Sequence, residues 1–321
     1  MWRYLLRRLV GAVPVLILAS VLIFVLVRGF GPDPARLRCG ASRDPRCLAR
    51  TRTELGLDRP LPVQYGDQMW GFVRGDWGTG LRSDRSVSAS IGEALGETAQ
   101  LVGWALLLSI GAAVAVGVYQ GRRPGTARDH TWTTLALAGI AVPSFWLGLM
   151  AIQVLTYDLQ RWLGSKQPVL FSIPDPTAGG PAGYVRELAL PVLVLSVQLI
   201  AGWSRYQRAS LIDELRSDHI RTARSKGLRE RRVVWKHGLR GSASALVTVV
   251  AIDAGALVGG VVITERVFSR PGMGTLLLTS LRDGDTAMLI PWMLVVGIAV
   301  IGFNLVADMA YAALDPRVRV T

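Results

Sequence analysis

Six long apolar stretches constrain this 321-residue chain more than any other feature of its sequence. Each one approaches or reaches the roughly 20 apolar residues that an α-helix needs to cross a bilayer. Half of the residues are hydrophobic, which is more than a soluble protein of this length normally carries. We therefore expect an all-α integral membrane protein with six transmembrane helices. The predicted spans are Leu9–Phe30, Ala99–Tyr119, Trp132–Thr156, Leu188–Ser204, Ala243–Ile263 and Ala287–Ala312.

Three prolines in the apolar stretches affect the predicted helices. Pro14 and Pro143 lie inside spans, where a missing N–H and a bulky ring bend the helix. Pro191 follows the predicted start of the fourth span, and we expect it in the first turn, where the missing N–H matters least.

The first apolar run is longer than the apolar region of a signal peptide, and no small-x-small cleavage site precedes Gly31. We therefore expect an uncleaved first span.

Charge predicts the orientation of the spans. The net charge is +13, and the mean hydropathy is +0.36. Loops on the side of the two termini hold the short basic runs, whereas the loops at 31–98, 157–187 and 264–286 hold nearly balanced charges. Because cytoplasmic loops carry the excess of Lys and Arg, we expect both termini in the cytoplasm of a multi-pass cell (inner) membrane protein. The basic runs outside the largest loop are Arg3, Arg7 and Arg8; Arg122, Arg123 and Arg128; and Arg317 and Arg319.

The predicted organisation has three parts. Residues 1–30 form a short tail and the first helix, residues 31–98 an extracytoplasmic loop, and residues 99–321 a five-helix core. The core contains a basic cytoplasmic loop at 205–240, with eleven Lys or Arg against four Asp or Glu. The basic residues cluster beside apolar spans, without zinc-ligand spacing or interleaved exposed aromatics, so we expect a lipid bilayer and no nucleic acid as partner.

Motifs for catalysis are absent from the sequence. There is no Gly-x-x-x-x-Gly-Lys-Ser/Thr loop for ATP, no Gly-x-Ser-x-Gly and no His-Glu-x-x-His. The three histidines, His130, His219 and His237, are scattered along the chain. We therefore expect no catalytic site, no metal site and no cofactor bound by this chain, which indicates a transport subunit rather than an enzyme.

A family resemblance rests on motifs that occur in order along the chain. The segment Asp218–Leu228, followed by His237-Gly238-Leu239-Arg240, resembles the coupling loop of ABC importer permeases, and most closely the B-type subunit of oligopeptide and dipeptide importers. Further matches are Leu55–Tyr65, Val142–Gly148, Pro271-Gly272-Met273-Gly274 and Asp315-Pro316-Arg317. The family's usual Glu-Ala-Ala is replaced by Arg221, Thr222 and Ala223, and its glycine is Gly227. The stretch 38–48 has no counterpart in the family.

The resemblance implies that the loop binds an ATPase. The implied coupling residues are Arg221, Thr222, Ala223, Arg224, Lys226, Gly227 and Leu228. Small Ala223 would allow close approach to a groove in the partner, and Gly227 can end a helix with a positive φ. Arg221, Arg224 and Lys226 can pair with an acidic partner surface. The alternative is an amphipathic helix that only anchors to anionic lipid.

The resemblance also implies an assembly. It predicts the type I importer permease fold, a homologous second permease (a heterodimer), two cytoplasmic ATPase chains or domains that hold ATP-Mg, and an extracytoplasmic substrate-binding lipoprotein. Substrate, most often an oligopeptide or dipeptide in this branch, would cross by alternating access. The same fold importing nickel, haem, an antibiotic or another small solute stays open, and so does a stand-alone secondary transporter, which would need coupling charges in its spans.

Two smaller features carry predictions with stated alternatives. Asp253 lies near the middle of the fifth span, where a carboxylate normally faces a cavity or a partner. It is a candidate for the translocation path, and the alternative is a structural acid bonded to a neighbouring helix. Cys39 and Cys47 lie in the outer loop, where an oxidising compartment permits a disulfide. The alternative is two incidental thiols.

Overall fold

The structure is a computed structural model that describes residues 2–40, 44–81, 85–165, 170 and 180–314. These residues are almost entirely helical. Their α-helices are α1 (Trp2–Phe30), α2 (Pro34–Cys39), α3 (Pro45–Glu54), α4 (Leu61–Arg74), α5 (Val87–Gly121), α6 (Ala127–Ala141), α7 (Ser144–Ala151), α8 (Leu159–Leu163), α9 (Gly180–Leu215), α10 (Asp218–Ser225), α11 (Glu230–Arg232), α12 (Leu239–Val258), α13 (Val262–Val267), α14 (Met273–Asp283) and α15 (Thr286–Leu314). Two π-helical segments, Ile152–Asp158 and Val233–Gly238, join neighbouring helices.

The described residues contain the predicted membrane spans. Five helices are long and apolar enough to cross a bilayer, and a broken pair makes a sixth. The broken pair joins Ala127–Ala141 to Ser144–Leu163 with a bend of 99°. The bend falls at Val142–Pro143, which confirms the predicted kink: proline has no N–H to donate, and the residue before it is pushed towards an extended conformation.

The prediction for Pro191 was wrong. Helix α9 begins at Gly180, so Pro191 lies well inside it rather than in its first turn. The proline is buried among other residues of the helix's packed face. A helix that crosses a membrane can keep an interior proline where surrounding protein packs against the disrupted turn. Hydropathy alone missed the true start because the polar residues Arg186 and Glu187 interrupt the apolar run.

The described chain divides into two compact units. The first comprises Met1–Thr98, Val258–Val262 and Pro271–Ile301, and the second comprises Ala99–Leu257, Ile263–Arg270 and the residues from Gly302 onward. In the first unit, an apolar core joins the start of α5 to α14 and α15. Its buried members are Val87, Ile91, Ala94, Met273, Met288 and Trp292. The indole N–H of Trp292 donates to Met273 O at 2.9 Å, so the large aromatic side chain is buried without an unsatisfied donor.

In the first unit, a disulfide between Cys39 and Cys47 joins α2 to α3. Each of the helices it joins begins with Asp-Pro: Asp33 caps α2 and Asp44 caps α3, with proline at the first helical position. Asp33 also accepts a hydrogen bond from Arg52 Nη2 at 2.6 Å, which ties the start of α2 to α3. Helices α2 and α3 therefore form a small cross-linked pair.

Gly260 and Gly274 of the first unit lie where two backbone segments approach closely. A side chain at Gly260 would lie 2.1 Å from Gly274 N, and one at Gly274 would lie 2.6 Å from Val262. Gly260 also has φ of 101°, which side-chain-bearing residues rarely adopt. These contacts give a physical reason for the glycines in the matched Pro271–Gly274 segment.

The second unit packs α5, α6, α9 and α12 through apolar and polar contacts. Trp203 of α9 is 1% exposed and packs with Ala113 and Leu246. Polar groups near it pair across helices: Gln207 Nε2 donates to Ser242 Oγ at 2.8 Å. Such pairs satisfy polar side chains that would otherwise be costly in an apolar setting.

Candidate functional site: the coupling hairpin

The loop predicted at 205–240 is a helical hairpin. Helix α9 continues to Leu215, and a helix resumes at Glu230 and runs on as one candidate span to Val258. The connecting residues carry one short helix, α10. We call residues 214–238, from the last residues of α9 to the end of the second π-helical segment, the coupling hairpin. It is shorter than the predicted loop because α9 and α12 occupy the two ends of that loop.

The inner face of α10 packs on the hairpin's own residues. Ile220 and Val233 are fully buried, Ala223 is 8% exposed, and Leu215 and Leu228 pack against them. In this structure Ala223 faces the chain's own residues, and its predicted approach to a partner's groove stays a prediction. Small Ala223 instead lets α10 lie close to the π-helical segment at Val233. Leu228, also predicted as a coupling residue, contributes to the same internal cluster.

Gly227 ends α10, and its predicted positive φ is confirmed at 75°. Gly227 N–H donates to Arg224 O at 2.9 Å, and Leu228 N–H donates to Ala223 O at 3.4 Å. These two bonds and the contact of Leu228 with the Ala223 cluster form a Schellman motif, which satisfies the last carbonyls of the helix. Gly227 therefore fixes the direction in which the chain leaves α10.

Arg224 has partners within the hairpin rather than a free guanidinium. Its Nη2 donates to Glu230 Oε1 at 2.8 Å, and its Nη1 donates to Leu215 O at 3.3 Å. The hydrogen bond to Glu230 raises the pKa of Arg224 above its ordinary value. Arg224 thus links α10 to α11, and its predicted pairing with a partner stays a prediction.

The outer face of α10 is polar and exposed. Arg221 pairs with Asp218 at 3.4 Å, and both side chains are largely exposed, so the pair contributes little to stability. His219 Nε2 lies 2.9 Å from Glu214 Oε1, at the end of α9. The exposed residues of α10 and its end are Asp218, His219, Arg221, Thr222, Arg224, Ser225, Lys226 and Gly227. This face, not the Ala223 face, is available to a partner.

A buried ion pair at the base of the hairpin was missed by sequence reasoning. Arg208 of α9 donates from Nε and Nη2 to the two carboxylate oxygens of Asp129 at 2.6 and 2.7 Å. Asp129 is 2% exposed and also accepts from Gly125 N–H. The sequence prediction included Arg208 among the basic residues of the loop at 205–240 and did not single out Asp129. The available signal was Thr126, a good N-cap, which starts a helix that carries Asp129 in its first turn.

Asp253 has a packing partner. Its Oδ2 accepts a hydrogen bond from Trp203 Nε1 at 2.7 Å, joining α12 to α9. Trp203 is buried while Asp253 is partly exposed. The contact matches the predicted alternative of a structural acid. The predicted Asp315-Pro316-Arg317 motif, with Arg317 and Arg319, lies outside the described residues.

Apolar spans, a bent third span and a span-linking hairpin with one buried and one exposed face define a multi-pass membrane transport subunit. The chain belongs to the family of binding-protein-dependent transport system inner membrane components. The model of that family matches residues 113–320, and the model of its N-terminal part matches residues 1–92. The chain is thus an ABC importer permease, a membrane subunit that works with an ATPase and a substrate-binding protein.

Relatives align over essentially the whole chain. The glutathione transport system permease protein GsiC of Salmonella choleraesuis is 36% identical, covering 99% of both chains. A protein of Brucella ovis described as a peptide permease is 38% identical over 100% of both chains. A solved structure of the MetNI methionine ABC transporter in inward-facing conformations aligns with a TM-score of 0.47 at 18% identity, covering 78% of this chain and 98% of that one.

Proposed function

We propose that this chain is the permease of an ATP-driven importer of oligopeptides or dipeptides. The observation that carries the proposal is the two-faced helix α10. Its apolar face is held by Val233 and Leu228, so its polar face is presented on a fixed support. Full-length relatives named as glutathione and peptide permeases support a peptide cargo.

The proposed topology places the coupling hairpin and both termini in the cytoplasm. Six spans put the hairpin on the same side as the termini, and the excess of basic residues in the short loops favours the cytoplasmic side. The loops at 31–98 and 264–286 then face outward, where a substrate-binding protein releases its cargo. The cysteine pair Cys39 and Cys47 would lie in that oxidising compartment.

The proposed partners are a homologous second permease, two ATPase chains or domains, and an extracytoplasmic lipoprotein. ATP-Mg would bind the ATPases, and this chain would carry out no covalent chemistry. The exposed residues Arg221, Thr222 and Lys226 would contact the ATPase, while Ala223, Arg224, Gly227 and Leu228 hold the shape of the hairpin. Residues of the second kind act on the ATPase through α10 rather than by touching it.

Coupling in this proposal depends on rigidity. Closure of the ATPase pair on ATP displaces α10, and the buried Ile220–Val233 contact carries that displacement to the start of the fifth span. The Asp129–Arg208 pair links α9 to α6, so the third span moves with the hairpin. Different contacts of the hairpin in the two states bias the spans between inward-facing and outward-facing arrangements.

Reconstitution separates this proposal from a stand-alone secondary transporter. The complete complex in proteoliposomes, supplied with binding protein, should accumulate a radiolabelled alanine tripeptide only when ATP is present at the ATPase side. An ATPase-inactive version of the partner subunits serves as the control and should abolish uptake. Uptake driven by a proton or sodium gradient without ATP would support the secondary transporter instead.

A further inference from the structure

Helix α4, Leu61–Arg74, carries its polar and its apolar residues on separate sides. The polar residues lie three or four positions apart, and helical residues at that spacing share a face. They are Gln64, Asp67 and Gln68. Most of the other residues are apolar or glycine. This separation is typical of a helix that lies between water and an apolar phase.

Part of the apolar side packs against two membrane spans of the same unit. Tyr65 and Phe72 pack against buried Phe24 of α1, and the ring centroids of Tyr65 and Phe24 are 5.5 Å apart. The same cluster contains buried Ile290 and Leu294 of α15. Both α1 and α15 are long and apolar enough to cross a bilayer. Helix α4 is therefore held beside these spans.

The contacts with the spans give the depth of α4. Phe24 lies six residues before the end of α1 at Phe30, which is about 9 Å along the helix axis. Ile290 and Leu294 lie four and eight residues after the start of α15 at Thr286, which is about 6 and 12 Å. A helix at a membrane interface buries its apolar face by roughly 5–10 Å. The depth of α4 thus matches the boundary between lipid headgroups and acyl chains.

A second part of the apolar side is exposed. Val63, Gly66, Trp70 and Val73 follow one another at helical spacing, so they share a face. The side chain of Trp70 is 58% exposed, and that of Val73 is 77% exposed. Within the part of the chain that the structure describes, this face is left without a cover. At this depth in a bilayer, acyl chains are the surroundings that such a face would meet.

Arg74 ends the helix beside this exposed face. Its guanidinium carbon lies over the ring of Trp70, 4.4 Å from the ring centroid. A long basic side chain can cover apolar surface with its stem while its charged end reaches the headgroups. Tryptophan is enriched at membrane–water interfaces because its ring is apolar and its N–H is polar. The Trp70–Arg74 pair is therefore typical of a helix at an interface.

We propose that α4 lies in the plane of the membrane interface and that Val63, Trp70 and Val73 insert among the acyl chains of phospholipids. Its 14 residues are too few to cross a bilayer, which needs roughly 20. The depth of α4 and the Trp70–Arg74 pair favour lipid over a water-soluble protein as the partner. The loop at 31–98 then contains a segment that is bound to the membrane, and the proposed topology places this segment in the outer leaflet.

Fluorescence quenching in the complete complex, reconstituted with cysteine-free partner subunits in phosphatidylcholine nanodiscs, tests the proposal. Val73→Cys carries a bimane label, and the parent chain, in which Cys39 and Cys47 form a disulfide, gives the background. Lipid with a nitroxide near the top of one acyl chain should reduce the fluorescence at least about twofold. Asp67→Cys is the matched control, because Asp67 is exposed on the polar side of α4, and its label should lose less than about a tenth of its fluorescence.

Iodide in the surrounding water identifies the alternatives. A label at Val73 that iodide quenches and the nitroxide lipid does not would place this face in water. A label that neither agent quenches would mean that protein, either the second permease or the binding protein, covers the face. Either result would overturn the proposal. Co-purification of each labelled variant with the partner subunits shows that the variant has folded.

A label at Val63→Cys tests the orientation of α4. Val63 and Val73 are ten residues apart, which is about 15 Å along the helix. A helix in the plane of the interface holds both labels at one depth, so the same nitroxide lipid should quench them to within about twofold of each other. A larger difference would mean that α4 is steeply inclined, which contradicts the proposal.

Discussion

Single residues of the coupling hairpin divide between those that hold its shape and those that meet a partner. Ala223 and Ile220 are buried against Val233, whereas Thr222 and Arg221 are exposed on the opposite face. Adjacent residues of a short helix thus have different roles. Substitutions at neighbouring positions should therefore have different physical effects.

Ala223→Leu should loosen the hairpin. The added atoms have no room beside Ile220 and Val233, and overpacking of this kind costs about 1–3 kcal/mol. Trypsin cleavage within the hairpin of the detergent-solubilised complex should become faster. Ser225→Leu is the matched control, because Ser225 is exposed and is not among the residues proposed to contact the ATPase. Equal cleavage rates for the two variants would show that Ala223 is not packed as described.

Substitutions at Asp253 separate a structural role from a role in the translocation path. Asp253→Asn keeps an oxygen that can accept from Trp203 Nε1, so uptake should stay within about twofold of the parent. Asp253→Leu leaves that buried N–H unpaired, which costs about 1–3 kcal/mol and should lower the thermal unfolding midpoint. Loss of uptake in Asp253→Asn at an unchanged midpoint would instead place the charge in the path.

For single residues, the sequence predicted backbone conformation better than side-chain contacts. The positive φ of Gly227 followed from helix-ending chemistry, which is local. The burial of Ala223 could not be predicted in the same way. Helix α10 has only eight residues, both apolar and basic, and its sequence does not show which face packs against the rest of the chain. The contact of Arg224 with Glu230 did not follow from the motif either, because Glu230 lies beyond the end of the motif.

At the scale of elements, the Asp129–Arg208 pair is the main polar link between α6 and α9 in this account. Both hydrogen bonds of this bidentate pair are short, and Asp129 is buried. Removal of one partner from a buried pair is costly because the other charge is left uncompensated. The elements that carry the coupling hairpin should therefore depend on it.

A double-mutant cycle measures this link. Asp129→Asn and Arg208→Met should each destabilise the complex by on the order of 3 kcal/mol, and the double variant should cost much less than their sum. The free energies come from reversible unfolding of the solubilised protein. Additive effects would mean that the two side chains do not interact. Arg123→Met is the control, because Arg123 is an exposed arginine in the short connection between α5 and α6.

The stapled pair α2–α3 should respond to acid. Burial alone would raise the pKa of Asp33, but hydrogen bonds from Arg52 and from Ala35 N–H outweigh it and hold the pKa below its ordinary value of 3.8. A carboxylate whose pKa is lowered by folding stabilises the fold above its ordinary pKa and loses that contribution as pH falls through the lowered value. The protection of the α2–α3 amides against hydrogen exchange should therefore be constant down to about pH 5 and then decline.

Hydrogen exchange of the α2–α3 amides, corrected for intrinsic rates, checks this expectation. Asp33→Asn should remove the decline with acid and lower the protection at neutral pH. A variant with the same acid response as the parent would show that another group is responsible. Reduction of Cys39–Cys47 should lower the protection further, because opening a short closed loop removes roughly 2–3 kcal/mol in the chain-entropy model.

Hydropathy predicted most of the elements, because a membrane span must be long, apolar and helical. It could not locate the helix ends. α5 begins at Val87 and α9 ends at Leu215, in polar sequence, since contacts within each unit extend the helices beyond the apolar runs. Pro143 was predicted correctly as a break, whereas Pro191 was not, although both are prolines in apolar surroundings. Local sequence does not report which of them has packed neighbours.

At the scale of the whole molecule, family membership and the helical content agree with a permease. In the proposed function, the coupling hairpin is the part that a separate ATPase holds. The substrate side was the least predictable from sequence. For example, Glu93 and Glu97 of α5 line one cavity with Asp283 of α14, although these residues are far apart along the chain.

Cysteine cross-linking of the assembled complex tests the central claim, that the exposed face of α10 contacts the ATPase. Thr222→Cys, paired with cysteines introduced across the ATPase surface that faces the membrane, should cross-link efficiently and in a nucleotide-dependent manner. Ala223→Cys, one residue away but buried, is the matched control and should not. An assembled, transport-active complex in which Thr222→Cys forms no cross-link with any ATPase cysteine would contradict the account.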